Sequence, residues 1–164
     1  MLLPTYIRSI LVLFLLVIGC INNNKEKEEF YEDGKLKKIV YYIDDKKNRI
    51  ELSHYPNQKF SSIKKYSKGF LNSEALWFYE NGFLGEKSFF KNGKQNGVAY
   101  YFYSNGILKA YRNWVDDKQI GYAEDYWENN GELKVLYYFN NGNIQYKKFF
   151  DTSGHLLKEE GIHP

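Results

Sequence analysis

The chain has 164 residues, a net charge of +3, and 43% apolar and 26% charged side chains, the proportions of one globular domain and not of a disordered chain. Aromatic residues reach 19%, with 16 Tyr and 12 Phe, and these types favour strands. One Cys and three His exclude a disulfide framework and a zinc cluster, and a small charge with Lys and Glu interleaved offers no footprint for nucleic acid.

Residues 1–20 read MLLPTYIRSILVLFLLVIGC. Arg8 precedes the apolar run Ile10–Ile18, which has the length of a signal-peptide core. As a helix it would cover about 13 Å at roughly 1.5 Å per residue, too little for a hydrocarbon layer of about 30 Å. The run ends in Val17-Ile18-Gly19-Cys20, which resembles the bacterial lipobox. There a small residue precedes a Cys whose thiol takes a diacylglycerol and which becomes the acylated N-terminus after cleavage. The resemblance implies a signal peptide over 1–19, a lipid on Cys20 and a membrane-anchored protein of the bacterial cell envelope. Ile21 stands where inner-membrane retention would call for Asp, so the outer membrane is the expected location. Removal of 1–19 takes away Arg8 and leaves 22 basic against 20 acidic residues. Asn22–Glu29 has no apolar residue, so 20–29 is expected to be an acylated Cys on a flexible tether, with folding from Phe30.

From there the chain repeats. Tyr31, Tyr55, Tyr79, Tyr103 and Trp127 are spaced by 24, as are Tyr42, Tyr66, Phe90 and Trp114, and again Ala75, Ala99 and Ala123. An insertion near Asn129–Asn130 shifts the later members to Phe139 and Phe150. A period of this size means a solenoid or array. Each period holds two aromatic-rich runs separated by turns such as Asn81-Gly82, Asn92-Gly93 and Asn105-Gly106, the residues that tolerate positive φ in tight hairpins. About eleven strands of 6–8 residues are expected, among them Lys37–Ile43, Glu74–Tyr79, Val98–Tyr103, Glu132–Phe139 and Asn143–Phe150. The predicted fold is all-β: an elongated antiparallel meander of stacked hairpins over 30–160, followed by a tail, 161–164. Simple alternation puts Leu36 and Tyr42, Phe60 and Tyr66, Leu84 and Phe90, Leu108 and Trp114, Leu133 and Phe139, and Ile144 and Phe150 pairwise on one common face.

The run aromatic-x-x-Gly-x-Leu, then Phe90-Lys91-Asn92-Gly93-Lys94-Gln95-Asn96-Gly97, then aromatic-x-x-Asn-Gly, resembles the MORN repeat, and more closely the variant of bacterial YwqK-type proteins, which are named as antitoxins. The resemblance implies a scaffold or binding surface and supplies no catalytic residues. Gln58 in place of a turn Gly, a partial match at Gly69 and Ser73, and Asp116-Asp117 without Gly depart from the pattern.

The reactive groups assemble into nothing. His54 lies about a hundred residues from His155 and His163, Cys20 is assigned to lipid, and no phosphate-binding loop is present. Asp44-Asp45 and Asp116-Asp117 are expected in solvated turns. No enzyme activity, cofactor or metal is therefore expected. Trp77 and Tyr101 follow the Ala75 and Ala99 column, and Asp125 takes the third place, so this column is partly wet and its aromatics are the candidate partner-binding surface. The expected function is a non-catalytic, membrane-anchored lipoprotein that binds a protein, such as the toxin of an antitoxin-like or immunity-like pair. A cell-envelope glycan is the alternative ligand.

Overall fold

A computed structural model describes residues 26–43 and 47–162. The signal segment 1–19, Cys20, Asp44-Asp45 and His163 lie outside the described residues. Thirteen strands follow one another: β1 (Glu26–Phe30), β2 (Leu36–Tyr42), β3 (Arg49–His54), β4 (Phe60–Ser67), β5 (Phe70–Phe78), β6 (Leu84–Lys91) and β7 (Lys94–Phe102). The second half comprises β8 (Leu108–Val115), β9 (Lys118–Gln119), β10 (Gly121–Tyr126), β11 (Leu133–Asn140), β12 (Asn143–Phe150) and β13 (Leu156–Gly161). Every strand pairs antiparallel with the next, except that β8 pairs with both β9 and β10, so one open sheet runs from β1 to β13. At about 4.8 Å per strand step the array is roughly 53 Å long. The all-β meander expected from the repeat is the fold. Pairing begins earlier than Phe30, because Glu26–Glu29 align with Tyr41–Lys38, and Glu29 meets Lys38 at 3.3 Å.

Two kinds of turn alternate. On one edge Tyr79 N–H donates to Phe83 O and Gly82 N–H to Tyr79 O, both at 2.8 Å, and the same pair of bonds recurs at Tyr31, Tyr55 and Tyr103. On the other edge Lys68-Gly69, Asn92-Gly93, Asp116-Asp117 and Asn141-Gly142 all have both φ positive, the geometry that follows the twist of a two-residue hairpin. Gln58 (φ 65°) and Asp117 (φ 66°) take these left-handed positions without the freedom of glycine.

The repeat is locked by its aromatic. The Tyr31 hydroxyl donates to His54 O at 2.7 Å, Tyr55 to Phe78 O at 2.7 Å, Tyr79 to Phe102 O at 2.8 Å and Tyr103 to Tyr126 O at 2.9 Å. Trp127 continues the ladder with its indole N–H on Phe150 O at 3.3 Å. Beside it, the amides of Asn57, Asn81, Asn105 and Asn130 donate to Glu80 O, Ser104 O, Glu128 O and Thr152 O of the next turn. Each Asn also accepts, through Oδ1, the N–H two residues on.

The sheet register corrects the expected faces. Directly opposed residues share a face, and one extra, unpaired residue stands between two paired ones at Lys37, Ser61, Gly85, Lys109 and Lys134. Thus Phe78 opposes Leu84 while its neighbour Trp77 opposes Glu86. Such bulges reset the two-residue period. Leu36, Phe60, Leu84, Leu108 and Leu133 consequently lie on one face, and Tyr42, Tyr66, Phe90, Trp114 and Phe139 on the other. Ile144 and Phe150 are separated as well, since Ile144 opposes Phe139 and Phe150 opposes Leu156. Core residues occur on both sides. Ile63, Leu76 and Leu84, with Phe60, Phe78 and Phe102 against them, form an apolar cluster on what we call the Leu76 face. On the opposite face, the Trp77 face, Val40 and Val135 are buried beside a set of small residues that includes Ala75, Ser88, Ala99 and Ala123.

Candidate functional site

On the Trp77 face two rows of larger side chains close over a row of small ones. The small row is Ala75–Ser88–Ala99, opposed in that order across β5, β6 and β7, and all three are fully buried beneath their neighbours. One wall is the row Trp77–Glu86–Tyr101–Ala110–Asp125, again paired strand to strand. Tyr66, Phe90 and Trp114 build the other. The 24-residue period creates this layout, because corresponding residues of successive repeats fall in one row, two strand steps or about 10 Å apart.

Both sequence-selected aromatics are in the first wall. Trp77 and Tyr101 are half-buried, with Glu86 between them. The Lys64 ammonium sits 5.2 Å from the Trp77 ring centre and Phe90 6.0 Å from it. Gln95 Nε2 donates to the Tyr101 hydroxyl and to Ser88 Oγ, each at 3.4 Å, and Ser88 Oγ donates to Glu86 Oε1 at 2.6 Å. Polar groups therefore flank the two rings, and the wall combines aromatic and polar side chains of the kind that anchor partners.

Beside Tyr101 lies a cleft of about 460 Å³, lined by Tyr101, Arg112, Trp114, Gln119, Asp125 and Lys134 among others. Arg112 is its organising cation. One guanidinium nitrogen donates to Tyr111 O at 2.8 Å and to Glu124 O at 2.6 Å, the other to Asp125 Oδ1, and the group lies 5.4 Å from the Tyr137 ring centre. The Tyr137 hydroxyl donates to Asp125 Oδ2 at 2.7 Å. Burial and this bond to a carboxylate push the Tyr137 phenol up to about 12, so it remains a donor throughout the physiological range. Burial, with the bond to Glu124, raises Tyr126 as well. The Trp114 indole N–H and Gln119 Oε1, opposed across β8 and β9, are buried without hydrogen-bond partners.

Sequence reasoning found Trp77, Tyr101 and the wet place at Asp125, but missed Arg112 and Tyr137. Their convergence on Asp125 depends on the bulges at Lys109 and Lys134, which a strict alternation cannot register. The remaining polar candidates are dispersed. The His54 ring packs at 4.7 Å on Phe60 with its Nδ1 buried and unpartnered, whereas His155 is exposed and 3.4 Å from Asp151. Asp116-Asp117 occupy a turn, where Asp117 Oδ1 accepts the Gln95 N–H at 2.7 Å. Among the described residues no three His, Cys, Asp or Glu cluster as metal ligands, and no helix is long and apolar enough to cross a membrane.

Comparison with known proteins gives the same repeat. The family described as the MORN repeat variant matches residues 24–44, 95–116 and 131–152. These segments coincide with β1–β2, β7–β8 and β11–β12. No curated protein matches the chain. A crystal structure of an S. aureus TarM mutant in complex with fondaparinux, alpha-GlcNAc-glycerol and UDP is similar over 66% of this chain and 23% of that one, with 12% identity and a TM-score of 0.39. This chain thus spans about a quarter of that protein's length. Three segments of this one unbroken sheet are thus similar to the MORN repeat variant, in phase with its hairpins.

Proposed function

We propose that the chain is a non-catalytic binding module, lipid-anchored through Cys20, whose Trp77 face takes a protein partner. The observation that carries this reading is the wall Trp77–Glu86–Tyr101, two half-buried rings on either side of a carboxylate, with Lys64 beside the first ring and Gln95 bonded to the second. Large rings on a rigid sheet give contact area at little ordering cost, and the flanking charges select the partner. The repeat's likeness to YwqK-type proteins suggests a toxin-like partner and an antitoxin-like or immunity-like role. The lipobox-like segment supports retention at the cell envelope, on the outer membrane in preference to the inner. In cells making the tagged full chain, cross-linking and purification should recover one partner reproducibly. Trp77→Ala with Tyr101→Ala should lose it while urea unfolding remains cooperative. Recovery of the partner at the parental level by the double variant would refute the assignment. Labelled palmitate should enter the parent but not Cys20→Ser.

The cleft beside Tyr101 favours a second reading, a cell-envelope glycan. Tyr101 and Trp114 offer ring faces and Arg112, Asp125 and Gln119 polar edges, the combination that holds a sugar. Absence of any retention on purified cell-wall polysaccharide would remove it.

A further inference from the structure

The two ends of the open sheet are repeat-equivalent to each other's missing neighbours. In the interior, the residue four after the turn position opposes the residue two before the next repeat's aromatic. Lys38 opposes Ser53, Ser62 opposes Trp77, Glu86 opposes Tyr101, Ala110 opposes Asp125, and Val135 opposes Phe149. At the C-terminal edge the corresponding residue of β13 is Lys158, and no strand follows β13 among the described residues. At the N-terminal edge, Glu29 stands two before Tyr31 in β1, and no strand precedes β1 among the described residues. Continuing the period across the gap places Lys158 of one copy opposite Glu29 of a second, and Glu160 opposite Lys27. Among the interior pairs named above, none joins opposite charges. Both pairs at this junction do.

Apolar residues fit the same register. Phe30 and Leu156 are 55% and 50% exposed, although their interior counterparts Phe102 and Leu84 pack in one cluster. Strand direction is compatible too, because β13 and β1 hold alternate positions in the antiparallel order and a second β1 would continue it. From these observations we infer that copies of this chain associate head to tail, β13 of one adding β1 of the next, with Lys158–Glu29 and Glu160–Lys27 selecting the register. The joint is weaker than an interior one for two reasons. Asp151 occupies the aromatic position, so no hydroxyl or indole reaches the Phe30 carbonyl of the next copy; its carboxylate instead accepts the Ser153 and His155 N–H groups of its own turn. Glu159 also falls opposite Glu28, a repulsion that Lys148, 2.9 Å from Glu159, reduces. Within one copy Glu29 is already near Lys27 and Lys38, and Lys158 near Glu160, so the charges set direction and register more than affinity. Such a contact is heterologous and does not close, so it gives short open chains.

Sedimentation velocity of the full chain in a non-ionic detergent, over a wide concentration range, tests this. Mass should rise with concentration and fall back as salt is added. Glu29→Lys alone and Lys158→Glu alone should each weaken association about tenfold or more, the effect of setting like charges opposite one another. An equimolar mixture of the two variants should restore it, since every junction between unlike copies is again complementary, and this controls for any effect on folding. A monomer at all concentrations would overturn the inference. So would a symmetric contact between like edges, in which one of the two variants associates as the parent does and mixing changes nothing.

Discussion

Tyr79→Phe removes one oxygen from the middle of the aromatic ladder and leaves the ring in place. The ring keeps its packing, which is close: a Cβ added at Gly85 would come within 3.1 Å of it. What disappears is the 2.8 Å bond to Phe102 O, the last carbonyl of β7 before the next turn. A neutral hydrogen bond contributes about 1 kcal/mol net, and a partly buried carbonyl left without its donor adds to that, so the expected cost is about 1–2 kcal/mol. With a urea slope of about 1.5 kcal/mol/M for a domain of this size, the midpoint should fall by about 0.7–1.3 M at unchanged slope. Tyr31→Phe, at the open end, should cost less, because β1 and β2 can separate locally without disturbing the interior repeats. Tyr122→Phe, on an exposed ring, serves as the baseline. If Tyr79→Phe unfolds within about 0.3 kcal/mol of the baseline variant, the ladder is an accompaniment of the fold and not a source of its stability.

Gln58→Gly relieves a left-handed residue whose side chain makes only exposed bonds to Leu36 O and Tyr55 O, and should stabilise the protein by about 0.5–1 kcal/mol in the same urea assay. A loss of stability would show that the Gln58 amide matters more than its φ. His54→Phe places at this site the residue found at the equivalent positions 78, 102 and 150. Burial holds the His54 imidazole below its ordinary 6.5, so the unfolded chain takes up a proton first as pH falls. The His54 contribution is therefore intact above about pH 6.5 and is lost as pH falls through the depressed native value. Thermal unfolding of the parent should weaken from pH 7 to pH 5 more steeply than that of His54→Phe, and parallel profiles would contradict the buried site.

The parts of this fold legible in the sequence are those that recur. Tyr31, Tyr55, Tyr79, Tyr103 and Trp127 declared the period, and Asn-Gly pairs declared the turns, because each is required by local geometry that the residue alone can meet. The faces were not legible. Lys37, Lys109 and Lys134 look like ordinary outward residues of an alternating strand, yet each is an inserted residue beside its repeat's aromatic, with its ammonium 4.3–5.6 Å from the ring of Tyr31, Tyr103 or Trp127. Gly85 fills the same place where an added Cβ would stand 3.1 Å from the Tyr79 ring. A bulge needs only that one residue be spared from pairing, and no residue type announces it. β1 was hidden for a similar reason: Glu26–Glu29 bury little and are held by pairing with β2 and by the charge of Lys38, both long-range facts.

Internal repetition also separates fold from function within this one chain. Rows that serve the fold are nearly uniform, Tyr-Tyr-Tyr-Tyr-Trp along the ladder and the buried Ala75, Ala99 and Ala123 of the Trp77 face, since each member meets the same geometric demand. The row two residues before the ladder reads Glu29, Ser53, Trp77, Tyr101, Asp125 and Phe149. It shares one backbone register throughout and therefore one set of structural demands, yet its chemistry changes at every step. A row that the backbone treats identically and the sequence treats differently is not set by packing. Its first member, Glu29, carries a charge suited to a second copy of the chain, its centre carries two rings suited to another surface, and Asp125 is tied to Arg112 and Tyr137 at the cleft. Exchanging Trp77 with Glu86 across β5 and β6 keeps composition, face and register while moving the ring by one strand. Stability should change little, whereas capture of the partner should fail; equal capture would mean that ring content and not ring position is recognised.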